Sequence, residues 1–208
     1  MNLPPSALAP LVALLLLAAA APARGQACTN PAIAPTTPTS DFTVSASGTA
    51  HHQPTDLVWM RCAVGQTWTG TTCTGIARNI TQWQQALQVA ADINSGVDDA
   101  DNDGAPGFAG EQDWRLPSIR ELASIHEACR TTPAHNTVVF PNAPGASNHW
   151  TSTTVDGSPA TAWYHDSQRG ISSFVLKSDS LPRVARLVRG GGLGGHRLLG
   201  RLFANGFE

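Results

Sequence analysis

Three aspartates in alternate positions are the first residues in this chain with a chemistry of their own. Asp99, Asp101 and Asp103, followed by Gly104, read D-x-D-x-D-G. Alternate carboxylates in a tight loop converge on one hard cation, and glycine permits the sharp turn, so the pattern is that of a calcium loop. The likeness to an EF-hand stops there. The twelfth position of such a loop is a bidentate Glu; counted from Asp99 that position is Gly110, and Glu111 comes one residue late. The default is a solvated acidic loop, and calcium is the one cofactor the sequence suggests.

The other candidates are ligand contacts. Trp163 and Tyr164 sit beside His165 and Arg169 on an expected hairpin. Adjacent strand residues face opposite sides, so one of the two rings is expected outside, where it can stack on a sugar. Arg183, Arg186 and Arg189 have the fork that suits sulfate or phosphate. Strand parity gives Arg183 and Arg189 one face and Arg186 the other, so no clean basic face results. Seven histidines, including His51, His52, His126, His135, His149 and His165, show no metal-ligand spacing and read as surface or core. There is no G-x-S-x-G elbow, and no Lys-Ser/Thr follows the glycine-rich 190–195 stretch to make a phosphate loop. The expectation is a protein without catalytic residues.

Four cysteines remain: Cys28, Cys62, Cys73 and Cys129. They contain no C-x-x-C pair, which speaks against zinc. An even count suits disulfides wherever a chain is exported, and four permit three pairings. Cys62 and Cys73 flank Gly65 and Gly70, so this segment can fold back on itself. Pairing Cys62–Cys73 leaves Cys28–Cys129.

Elements must position these residues. Thr81 to Asn94 carries Trp83, Ala86, Leu87 and Ala90 at helical spacing, with Thr81 and Gln84 as a capping box and Asn94-Ser95-Gly96 as a stop. A polar loop, 96–113, leads to Trp114-Arg115-Leu116-Pro117 and a second helix capped by Ser118 and Glu121, with Ile119, Leu122 and Ile125 inward. Before the first helix, Asp56 to Met60 reads as a strand. After the second, Thr137–Phe140, Trp150–Val155, Ala160–His165, Ile171–Leu176 and Arg183–Arg189 read as short strands between turn residues. This order predicts an α+β domain, two helices on a mainly antiparallel sheet.

The ends are of another kind. Leu8 to Ala21 is an almost unbroken Ala/Leu/Val run ending at Ala21-Pro22-Ala23, a small-x-small cleavage pattern. It is shorter than the roughly 20 residues a membrane span needs. Residues 1–23 are therefore expected to be a signal peptide, cut there or after Ala27, and 24–41 an extended lead-in. Residues 192–208 are expected to be a glycine-rich linker and tail. Net charge is −2; the stretch from His165 onward is the basic part, which reads as ordinary surface charge, and no nucleic-acid partner or mature membrane span is expected.

Several fragments, taken in order, form one pattern. Leu57-Val58-Trp59-Met60-Arg61-Cys62 is followed by Gly65-Gln66-Thr67-Trp68, Thr72-Cys73-Thr74-Gly75 and the Trp83 helix. Then come Trp114-Arg115-Leu116-Pro117 with Glu121-Leu122, Val139-Phe140-Pro141, Trp150-Thr151-Ser152-Thr153 and Arg186-Leu187-Val188-Arg189-Gly190-Gly191. This set closely resembles the C-terminal domain family of the bacterial collagen-like adhesin Lcl, long carried as a domain of unknown function, over about residues 42–191. The resemblance implies a bacterial protein that is secreted or on the outer surface, with the periplasm as an alternative. It also implies a non-enzymatic adhesion module, since the family's namesake binds sulfated glycosaminoglycans. The partner it suggests is an extracellular glycan or surface polymer, with Trp163, Tyr164, Arg169, Arg183 and Arg189 as candidate contacts. The Trp-Arg-Leu-Pro to Glu-Leu stretch and the Arg-Gly-Gly end are also similar to formylglycine-generating enzymes, which have a C-type-lectin-like fold. Their late reactive Cys pair has no counterpart, as no Cys follows Cys129. A structural envelope component and an enzyme on a lectin-like fold are the competing readings.

Overall fold

The computed structural model describes residues 27–143 and 148–190; the expected signal peptide and tail lie outside the described residues. The chain is α+β, as its patterns predict. Strands β1 (Phe42–Val44), β2 (Thr49–His52), β3 (Leu57–Met60) and β9 (Val188–Gly190) form an antiparallel sheet in the order β1-β2-β3-β9. Its two faces follow from the two-residue period of β3. Leu57 and Trp59 join Phe42, Ala50, Leu122, Ile125, Val139, Phe140 and Val188 in one cluster. Val58 and Met60 turn to a second cluster built on helix α1 (Trp83–Ser95). A ribbon of β4 (Thr67–Trp68) and β5 (Cys73–Thr74) stands on the loop after β3, and a meander of β6 (Asn148–Val155), β7 (Ser158–Asp166) and β8 (Ile171–Leu176) follows α2 (Ile119–Ala123).

Helix α1 buries Ala86, Val89, Ala90 and Ile93, while Trp83 and Leu87 lie at the edge of the stripe. Its cap sits one residue later than expected. The Gln85 side-chain oxygen, rather than Gln84, accepts from the Thr81 hydroxyl and from the Thr81 and Gln82 N–H groups. At the other end Gly96 stops the helix in the left-handed region, φ 77°. The α2 cap is as predicted: Ser118 Oγ accepts from Glu121 N–H, and Glu121 Oε2 from Ser118 N–H at 2.8 Å. Leu122 and Ile125 are buried, whereas Ile119 is half-buried.

Two expected strands differ. Thr137–Phe140 is a turn, because Asn136 Oδ1 accepts from the Val138 and Val139 N–H groups and Phe140 N–H bonds the Asn136 carbonyl. A local Asx contact wins over the β preference of two valines. Within Arg183–Arg189 only Val188 and Arg189 are strand; Arg183 and Val184 make single bridges to Ile80 and His149. The lead-in is stitched to the body. Thr36 and Thr37 both donate to the wholly buried Glu127 carboxylate, and Asn136 Nδ2 donates to the Thr37 carbonyl.

Both expected disulfides form, Cys28–Cys129 and Cys62–Cys73, with Cα atoms 5.1 and 5.5 Å apart. Among the described residues, no helix is long and apolar enough to cross a membrane.

Candidate functional site

The acidic loop does gather its carboxylates. One oxygen from each of Asp99, Asp101 and Asp103 lies within 4.8 Å of the others. The loop's own backbone sets this arrangement. Asp99 accepts from the N–H groups of Asp103 and Gly104, and Asp103 from that of Ala105. Asp101 Oδ2 accepts from Ala109 N–H at 2.7 Å, while its Oδ1 is buried without a partner. Beside the loop lies a cleft of about 170 Å³, lined by Asp98, Asp99, Asn102, Gln66 and Arg78, with Arg78 paired to Asp98 at 2.7 Å. Three carboxylates with one unpartnered oxygen fit a hard cation that completes its shell with carbonyls and water. Glu111 adds nothing to that shell: its carboxylate is held by Arg189 at 2.8 Å.

The second candidate region is the β6–β8 meander. Cross-strand register puts Trp163 opposite Phe174 and Thr161 opposite Leu176, with Ala162 opposite Val175 and Tyr164 opposite Ser173 on the other face. Ala162, Tyr164 and Val175 belong to the α1 cluster, so that face is the inner one. The outer face carries Trp163 and Phe174 edge to face, centroids 5.5 Å apart, with Phe174 56% and Leu176 54% exposed. Parity thus assigns the pair flagged from sequence: Trp163 turns outward and Tyr164 inward. Phe174 and Leu176 had no signal beyond strand alternation.

The arginines are differently disposed. Arg169, in the β7–β8 turn, is largely exposed and pairs with Asp166 at 2.9 Å. Burial alone would raise the Asp166 pKa, but Arg169 and the Gln168 and Arg169 N–H groups hold it below the usual carboxylate range. Arg183 is buried, paired with Asp179 at 2.8 Å, and its guanidinium lies over the rings of Trp150 and Tyr164 at 4.5 and 4.8 Å. Arg189 spans Glu111 and Asp113. The structure therefore brings Arg183 to Tyr164 inside the protein and commits Arg183 and Arg189 to carboxylates.

The signature Trp-Arg-Leu-Pro to Glu-Leu is architectural. Trp114 fills the α1 cluster, its Nε1–H donating to the Phe108 carbonyl at 3.0 Å. Arg115 makes a two-bond fork with Glu121 at 2.7 and 2.8 Å and exchanges backbone bonds with Val188. The model of the Lcl C-terminal domain matches residues 48–189, more than half of the chain. The chain belongs to the Lcl C-terminal domain family. A search of curated proteins returns no match. In this Lcl C-terminal domain the matched stretch runs from the β1–β2 turn to β9, and the segment tied down by Cys28 precedes it.

Proposed function

We propose that this Lcl C-terminal domain is a non-enzymatic extracellular binding module of C-type-lectin-like type that recognises glycan chains on the outer face of its β6–β8 sheet. The observation that carries the reading is the Trp163–Phe174 pair on that face, with Phe174 exposed and Trp163 half-buried. Aromatic faces held rigidly by a sheet offer a sugar's C–H groups a large contact at little entropic cost. Thr161 and Leu176 extend this surface along the strands. All four sulfurs are in disulfides, which suits a protein outside the reducing cytoplasm and leaves no thiol for chemistry. An anionic polymer would meet fewer free cations than the sequence suggests, because Arg183 and Arg189 already face carboxylates. Neutral or sparsely charged glycans are therefore the favoured ligands.

The test is binding of the secreted protein to a glycan array and to heparin at low salt. Trp163→Ala and Phe174→Ala are each expected to weaken glycan binding about tenfold or more, equivalent to ~1.4 kcal/mol, with the fold retained and only a modest drop in thermal stability from the lost ring contact. An array without any retained glycan, or binding indifferent to both substitutions, overturns the reading. Calcium in the Asp99–Asp101–Asp103 loop would serve as a structural support. Millimolar calcium is then expected to raise the melting temperature and EDTA to reverse it, and superimposable melting curves would end that part of the proposal.

A second reading, a structural component docking a protein, draws on Phe174 and Leu176 standing on β8, the outermost strand of its sheet among the described residues. A pull-down from the native cell surface that returns a protein and no glycan would favour it.

A further inference from the structure

Four histidines that lie apart in the sequence meet around one small cavity. His126, His135, His149 and His165, with Ser167 and Arg186, line a space of about 20 Å³ floored by Leu122, Ile125 and Phe140. The rings are held by fixed partners. His149 Nδ1 bonds Ser167 Oγ at 2.7 Å, His165 Nδ1 bonds Ser172 Oγ at 3.2 Å, and His126 Nδ1 donates to the Ala134 carbonyl at 3.1 Å. Two buried side-chain nitrogens of this group have no partner. They are Nε2 of His135, a residue 7% exposed, and Nη2 of Arg186, a residue 3% exposed.

Arg186 is the unusual member. Its Nη1 donates to the carbonyls of Met60 and Arg61, and its guanidinium lies 4.7 Å over the Phe140 ring. Among the described residues no carboxylate pairs with it. Burial draws its pKa down to about 9, so it remains charged at neutral pH. A buried charge is ordinarily balanced by a counter-charge, because carbonyl dipoles only partly replace its lost hydration.

The surroundings supply little of that balance. The groups acting on His135 are Arg186, His149, Arg130 and His165, all of them cationic when protonated. Of the acids in this part of the fold, Asp166 is paired with Arg169 and Glu127 accepts from Thr36, Thr37 and the Cys129 N–H; neither forms an ion pair with Arg186. The cavity has room for one water-sized or slightly larger particle and none for sulfate or phosphate.

We propose that the cavity is a binding site for a single halide-sized anion, chloride in the natural setting, held by Arg186 Nη2 and the His135 ring. A water molecule could accept the same hydrogen bonds but would leave the guanidinium charge unbalanced. The site is separate from the outer β6–β8 face and does not depend on what that face binds.

The test uses the intact, disulfide-bonded protein, melted in sodium chloride, sodium bromide and sodium gluconate at matched ionic strength. Chloride and bromide are expected to raise the melting temperature saturably, by about 3–8 °C over gluconate. Crystals grown in bromide should show anomalous scattering in this cavity. Two substitutions guard against a folding failure. Arg186→Met should abolish the halide dependence, and the milder His135→Gln should raise the half-saturating halide concentration about tenfold or more. Equal melting temperatures in halide and gluconate, a cavity without a bromide peak, or a halide effect undiminished in His135→Gln would each overturn the proposal.

Discussion

Single residues explain more of the family signature than any ligand does. Arg115 and Glu121 join α2 to the β9 flank by a charge-assisted fork, while Glu121 also caps its own helix. Burial would raise the Glu121 pKa, yet the Arg115 and Ser118 bonds hold it below its ordinary value. The same scale predicts an acid response. Burial and the His126 charge, opposed by Asp166, push the His165 pKa down to about 4 from an ordinary 6.5. Between those values the unfolded chain binds the extra proton. The stability is therefore full above pH 6.5 and is lost as pH falls towards 4, by about 3 kcal/mol for this group. His135 adds in the same direction. Denaturant midpoints are expected to fall over this window, and His165→Gln to flatten the fall; an unchanged slope in the variant would refute it. None of this was legible in the sequence, because four histidines spread over 126–165 carry no local spacing. Only the bridges His126–His135 and His149–Val184 and the β6–β7 register bring them together.

At the scale of elements the sequence was readable where a local rule decides. Strand β8 runs from Ile171 to Leu176 as its alternation and flanking turns imply, and the Ser118 capping box lies where expected. Reading failed where a single side chain redirects the backbone, as Asn136 does in turning 137–140, or where pairing is too sparse to make a strand, as in 183–187. The β7–β8 turn illustrates a different constraint. Gly170 has φ 71°, and a Cβ there would fall 1.7 Å from the His126 ring. Gly170→Ala combines a left-handed backbone with a clash against a half-buried ring. It is expected to destabilise by ~2–4 kcal/mol and to loosen the histidine cavity. A calorimetric melting temperature within about 1–2 °C of the parent would contradict this.

For the whole molecule the two disulfides act on loops of unequal size. Cys28–Cys129 spans 101 positions and Cys62–Cys73 only 11. In the chain-entropy model the long closure contributes ~4–5 kcal/mol and the short one ~2–3. The Cys28→Ala/Cys129→Ala pair is thus expected to lower the unfolding free energy more than Cys62→Ala/Cys73→Ala. The reverse order in urea titrations would show that ribbon strain or unfolded-state structure dominates. Both pairings could be written down from spacing, whereas the stitching of Thr36 and Thr37 to Glu127 could not, since it joins residues about 90 apart.

The stretch from Val184 to Val188, near the end of the described residues, reaches every part of the interior. Ala185 and Leu187 complete the α1 cluster, Val188 the opposite one, and Val184 a third with Ala63 and Ala77. A growing polypeptide, made from its amino end, consequently has no finished interior until these residues emerge. Nascent chains halted before residue 184 should remain open and protease-sensitive. The keystone goes in after the strands and helices it locks, so residues 27–183 stay threadable until it arrives.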